Sequence, residues 1–161
     1  MLKRLLASVS VLMLLMVLGF ASNPGIAANQ GTVKIDGVPF DLVQDNEPHP
    51  GCIFKLQFFG FPEGTDASYQ FAVYPPTSNT NGPGSLIVPP GVVDLTLPAP
   101  GDRKLNLNTG KINLRDGLTA AGVTAHPIQG FHVKLTVTTP GGHKYKVFWV
   151  QCDTNPYDSS F

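Results

Sequence analysis

The chain has 161 residues, with 11 Lys+Arg balanced by 11 Asp+Glu and a charged fraction of 14%, well under the usual quarter. Neutral charge with no basic run or stripe excludes a protein that grips a nucleic-acid backbone, which needs a positive footprint. The 17 Gly and 15 Pro do not make the chain disordered, because it also carries apolar runs able to bury enough surface to offset ordering entropy.

Lys3 and Arg4 precede an almost wholly apolar stretch from Leu5 to Phe20, and a small-residue segment ends at Gly25-Ile26-Ala27-Ala28. That three-part order is a secretory signal, with cleavage expected after Ala28 or Ala27. An uncleaved anchor fits less well. The apolar run is shorter than the ~20 residues a spanning helix needs, and Ser22, Asn23, Pro24 and Gly25 follow it. No cysteine lies near the cleavage region, so a lipid-modified N-terminal cysteine is excluded. Residues 1–28 are thus read as the signal and residues 29–161 as one domain of ordinary size. Losing Lys3 and Arg4 takes the basic count from 11 to 9, against 11 acidic residues.

The remainder alternates strand runs with turn clusters and shows neither a convincing helix nor an internal repeat. Thr32 to Asp36 is a short alternating strand closed by Gly37 and Pro39. In the next run Cys52, Phe54, Leu56 and Phe58 share one side, and Lys55 and Gln57 share the other, until Gly60 and Pro62. Tyr69, Phe71 and Val73 alternate with Gln70 and Ala72 before Pro75-Pro76 stops the strand. A Ser/Thr/Asn/Gly/Pro loop leads to two short apolar strands, Ser85 to Val88 and Val92 to Leu97, in which Val93, Leu95 and Leu97 should face inward. Leu105, Leu107, Ile112 and Leu114 read as strand residues around an Asn108-Thr109-Gly110 turn. Asp116 to Ala121 could be one helical turn, but strand is the favoured reading there.

Phe131 to Thr138 and His143 to Cys152 alternate clearly and are separated by Pro140-Gly141-Gly142. Two glycines between alternating runs predict a two-residue hairpin turn with positive φ at both. Pairing Pro140 with His143 sets Phe131, Val133, Leu135 and Val137 opposite Cys152, Val150, Phe148 and Lys146 on a core face. The other face then pairs His132 with Gln151, Lys134 with Trp149, Thr136 with Val147 and Thr138 with Tyr145. Short strands of this spacing predict an all-β, antiparallel, immunoglobulin-like sandwich. The only two cysteines, Cys52 and Cys152, lie on core faces of the first and last strong strands of an exported chain. One inter-sheet bridge between them is expected. An immunoglobulin domain has a Trp midway between its cysteines; here Trp149 sits close to the second one instead.

Asn46-Glu47-Pro48-His49-Pro50-Gly51-Cys52-Ile53-Phe54-Lys55-Leu56-Gln57-Phe58-Phe59-Gly60-Phe61, then Tyr74-Pro75-Pro76, then His143-Lys144-Tyr145-Lys146-Val147-Phe148-Trp149-Val150-Gln151-Cys152, resembles a family of small exported bacterial proteins of uncharacterised function, secreted or in the cell envelope. The resemblance implies that compartment and a paired Cys52 and Cys152, and it implies no activity. Leu97-Pro98-Ala99-Pro100-Gly101 differs from a cell-wall sorting motif in having Pro100 where Thr is required, and it is internal, so it is read as a turn.

Residues that could carry chemistry are few. Asp45, Glu47 and His49 stand close in sequence, but a metal site needs three or four ligands, and a polar loop entering a strand is the favoured reading. His126, before Pro127, is a loop residue; His132 and His143 fall at opposite ends of the hairpin. Glu63 and Asp66 read as solvated surface charge, and EF-hand spacing is absent. There is no nucleophile elbow and no phosphate-cradling glycine loop, so no catalytic, cofactor-binding or metal residue is assigned. One surface could bind. Tyr145, Val147 and Trp149 share the outward face of the hairpin with Lys134, and exposed Tyr/Trp patches are typical contact surfaces. The favoured reading has a loop from 75–90 covering that face with Lys134 stacked on Trp149, which would make Trp149 structural. The sequence therefore suggests a non-enzymatic structural or binding module whose partner is a protein or glycan. A carbohydrate-binding module using Trp149 and Tyr145 comes second, and a hydrolase or metal enzyme with a loop-borne site third.

Overall fold

Alternation along one strand sets the architecture. In the computed structural model, which describes residues 31–41, 43, 46–62, 65–78, 84–87, 91–95 and 105–152, Cys52, Phe54, Leu56 and Phe58 are all fully buried. Three of them lie on β2 (Ile53–Phe59), which pairs antiparallel with β1 (Thr32–Asp36) on one side and β5 (Leu105–Asn108) on the other. The short β6 (Ile112–Asn113) pairs with the start of β2. A second antiparallel sheet has the order β4 (Gly91–Asp94), β3 (Asp66–Val73), β7 (Phe131–Thr139), β8 (Gly142–Val150). The signal segment, Asp45, Glu63 and the Leu97 to Gly101 motif lie outside the described residues.

The two sheets share one core. Phe54 from β2 meets Phe71 of β3 and Phe148 of β8 edge-on, with ring centres 5.5 and 5.6 Å apart. Such edge-to-face pairs add to the gain from burial itself. The alternation read from the sequence holds here: Val133, Leu135, Val137, Phe148 and Val150 are buried, as are Phe71, Val73 and Leu95. The two layers are also joined covalently. Cys52 and Cys152 form a disulfide with Cα atoms 4.6 Å apart across a separation of 100 residues.

Gln57 lies on the Lys55 side of β2, opposite the Cys52 to Phe58 series, yet it too is buried. The turn after β1 folds over this side of β2. The Gln57 amide donates to the Asp36 carboxylate at 3.1 Å and to the Asp41 carbonyl at 2.8 Å. Burial pushes the Asp36 carboxyl above the usual range for Asp, against the lowering effect of the Asp41 N–H that it accepts. Lys55 stays half-exposed with its ammonium 4.2 Å above the Phe40 ring.

The 105–121 stretch differs from expectation in two ways. Leu105 and Ile112 do not form a hairpin with each other; both strands pair with β2, at Gln57–Phe59 and at Ile53–Phe54. Thr109 bridges the gap. Its N–H donates to the Leu56 carbonyl and its hydroxyl accepts the Leu56 N–H, both at 2.9 Å, so the ladder continues through a side chain. Residues Arg115–Ala120 are a helix, α1, rather than strand. It buries Leu118 and runs directly against the Ile87 backbone. A Cβ on Gly117 would lie 1.5 Å from the Ile87 carbonyl oxygen, so this approach requires glycine. The Arg115 guanidinium donates to the Cys152 carbonyl, which ties α1 to the disulfide.

The β7–β8 hairpin keeps its predicted faces but not its predicted register. Thr139 pairs with Gly142, Leu135 with Lys146 and His132 with Trp149. The pairing has slipped by two residues, which changes every partner and no face. The turn centres on Pro140 and Gly141, since proline's fixed φ suits the first central position. Of the two glycines only Gly142 has positive φ, at 124°. Positive φ, expected at both glycines, thus holds at Gly142 alone, where an added Cβ meets no atom within 4 Å. Gly142→Val should cost about 1 kcal/mol or more through backbone strain alone. Gly141→Val should cost clearly less, and urea melts of the two variants would reveal the order.

Candidate binding surface

The outward side chains of β3, β7 and β8 alternate with the core residues and meet in rows across the sheet. Register sets the rows: Gln70, Thr136 and Tyr145 form one, and Ala72, Lys134 and Val147 the next. At the end of the sheet nearest the disulfide, the Tyr74 N–H donates to the His132 carbonyl at 2.8 Å, which places Tyr74 beside His132 and Trp149.

Trp149 is half-buried, and histidines do the covering. The His132 ring stacks on the indole with centres 4.4 Å apart and planes 24° apart. His126 meets it edge-on at 5.7 Å. His132 is itself held firmly: its Nδ1 contacts the Pro75 carbonyl, and its N–H donates to the Thr77 hydroxyl at 2.9 Å. Tyr74 closes on the other edge of the ring at 5.6 Å. His126 Nδ1 accepts the N–H groups of Ile128 and Gln129 at 3.3 and 3.2 Å, which fixes its loop over the end of β8. On the backbone side, the Trp149 N–H donates to the Pro48 carbonyl at 3.1 Å.

Lys134 does not face Trp149, because the register slip sets it opposite Val147. Its ammonium lies 4.4 Å above the Tyr145 ring and 5.6 Å from that of Tyr74. A cation over an aromatic face at that distance is attracted by the ring quadrupole. Tyr145 is 57% exposed and Val147 46%, so the open part of the face is Lys134, Tyr145 and Val147. His143 extends it towards the turn, stacking on Tyr145 at 6.2 Å. The 75–90 loop reaches this face through Pro75 and Thr77 at His132; the described ring contacts of Trp149 are with His126 and His132.

Sequence reasoning missed His132, His126 and Tyr74 as members of the cluster. His132 was on the correct face but paired with Gln151. Tyr74 continues the outward alternation of Gln70 and Ala72, a signal masked by the prolines after it. His126 comes from a distant loop and had no signal. His49 is exposed. Among the described residues no three His, Cys, Asp or Glu side chains come close enough to hold a metal ion, and no helix is long and apolar enough to cross a membrane.

No protein-family model, curated protein or solved structure matches this chain.

Proposed function

We propose that the protein is an exported, non-catalytic binding module of immunoglobulin-like sandwich type, and that the outer face of β7 and β8 is its contact surface for another protein. The observation that carries this reading is the exposure of Tyr145 and Val147 side by side on a well-paired hairpin, with Lys134 set over the Tyr145 ring. Aromatic anchors held on a sheet lose little entropy on binding and match the composition of contact hot spots. The disulfide joining the two layers supports export, because such bridges persist in oxidising compartments. The resemblance in the Cys52 and Cys152 segments points the same way.

A protein partner fits better than a glycan. A sugar ring stacks on an open aromatic face, and one face of Trp149 is already taken by His132 while His126 guards another side. The amphipathic pair Tyr145 and Lys134, with Val147 beside it, suits a protein surface with an apolar centre and an acidic rim.

Paired variants test the reading. Tyr145→Ala should leave the melting curve almost unchanged, because the ring is mostly exposed, and should reduce partner capture at least about tenfold, a hot-spot loss. Trp149→Ala should lower stability by about 2–3 kcal/mol, under the full cost of a completely buried large-to-small change. Unchanged capture by folded Tyr145→Ala protein would remove this face from consideration.

A further inference from the structure

Among the described residues β1 and β8 are the edge strands of their sheets, brought together by residues 46–51, and the seam between them is closed along only half its length. In the closed half, the chain's own residues 46–51 run between the two edges, bending at Pro48 and His49. The Glu47 N–H donates to the Ile35 carbonyl of β1 at 3.3 Å, while the Pro48 and Pro50 carbonyls accept the Trp149 and Gln151 N–H groups at 3.1 Å. Gly51 bridges Gln151 in the parallel sense. In the other half the seam is an open cleft of about 140 Å³, lined by Val33, Leu135, Val137, Lys144, Tyr145 and Lys146 among others.

Three features define what fits there. The first is main chain. Trp149 and Gln151 point their N–H groups away from β7, so by strand alternation Tyr145 and Val147 do too; among the described residues no main-chain partner reaches either one. The second is an apolar floor, from Leu135 and Val137. The third is charge. Lys146 sits at an inward position opposite Leu135, where burial, and then the like charge of Lys34, hold its ammonium below the usual lysine range. Lys144 and Lys146 both line the cleft, and two cationic side chains in a partly desolvated cleft favour a carboxylate beside them.

We propose that this open half-seam accepts an extended acidic segment of a partner protein, which adds as a strand along β8 and places a carboxylate beside Lys144 and Lys146. The added strand would continue the track that residues 46–51 already follow. Its main chain would supply affinity at Tyr145 and Val147, and its acidic side chain specificity, as in other strand-addition complexes. Lysines on a sheet edge also discourage self-pairing. The two roles differ in what happens when the lysines are neutralised.

The probe is an amide-capped seven-residue peptide alternating valine and glutamate, compared with its valine and glutamine counterpart, using the full oxidised protein. The glutamate peptide should bind, the glutamine peptide should bind at least about tenfold more weakly, and added salt should narrow the gap. Tyr145 and Val147 amides should become protected from hydrogen exchange when the peptide is present. Lys146→Gln and Lys144→Gln should each reduce affinity at least about tenfold. Lys144→Gln keeps the test decisive if the Lys146 variant does not fold. Equal affinity for the two peptides, or no binding by the folded protein, overturns the proposal. Self-association of the lysine variants in sedimentation without peptide binding by the wild type would also overturn it, and would make the lysines edge guards.

Discussion

Removing the Cys52–Cys152 bridge is expected to lower stability by about 2–5 kcal/mol, a large share of the ~5–15 kcal/mol that holds a domain of this kind. The bond closes a separation of 100 residues, and cross-linking so long a loop restricts the unfolded chain strongly; the chain-entropy model gives about 4.7 kcal/mol as an upper value. The loss would not be confined to entropy. Gln151 holds Pro50, and Arg115 donates to the Cys152 carbonyl, so both the 46–51 segment and α1 depend on that end of β8 staying in place. Guanidinium melts of the wild type and the Cys52→Ala, Cys152→Ala double variant would measure the difference. Superposable curves, or two alkylatable thiols in the unreduced wild type, would show that the bridge is not holding the layers.

Phe54→Ala should be comparably severe, at about 3–5 kcal/mol. The Phe54 ring is fully buried and touches Phe71 and Phe148 edge-on, so its loss leaves a cavity bounded by three strands from both sheets. A backbone built from paired strands cannot collapse into that space without breaking register. Phe54→Leu should recover much of the loss, because it refills part of the volume. Thermal unfolding of both variants checks the order. An alanine variant melting close to wild type would mean that the aromatic trio is not the centre of the core.

Period-2 alternation made the faces legible. Cys52, Phe54, Leu56 and Phe58, and the Val133, Leu135 and Val137 series, were assigned to the core from spacing alone, and burial agrees. Partners were less legible. Proline at position 140 shifted the hairpin by two residues, and a shift by an even number leaves every face intact while exchanging every neighbour across the strands. That exchange took Lys134 from Trp149 to Tyr145 and gave Trp149 to His132. Local pattern also could not reveal what covers an outer face. Gln57 alternates like a solvent residue, yet the turn carrying Asp41 folds over it, and that contact joins residues far apart in sequence. The short α1 was legible only as the alternative to strand, because six residues carry almost no helical period, and its place is fixed by Leu114 and Leu118 entering the core.

The central claim, that the outer face of β7 and β8 is the contact surface, is tested most directly by site-specific photocross-linking. The oxidised protein would carry a photoreactive side chain at Tyr145 in one preparation and at Gly110, exposed on the edge of the other sheet between β5 and β6, in a second. Both would be irradiated in the source organism's extracellular and envelope material. Discrete protein adducts from position 145 and none from position 110 are the predicted result. Adducts formed equally from both positions, or only from position 110, would contradict it.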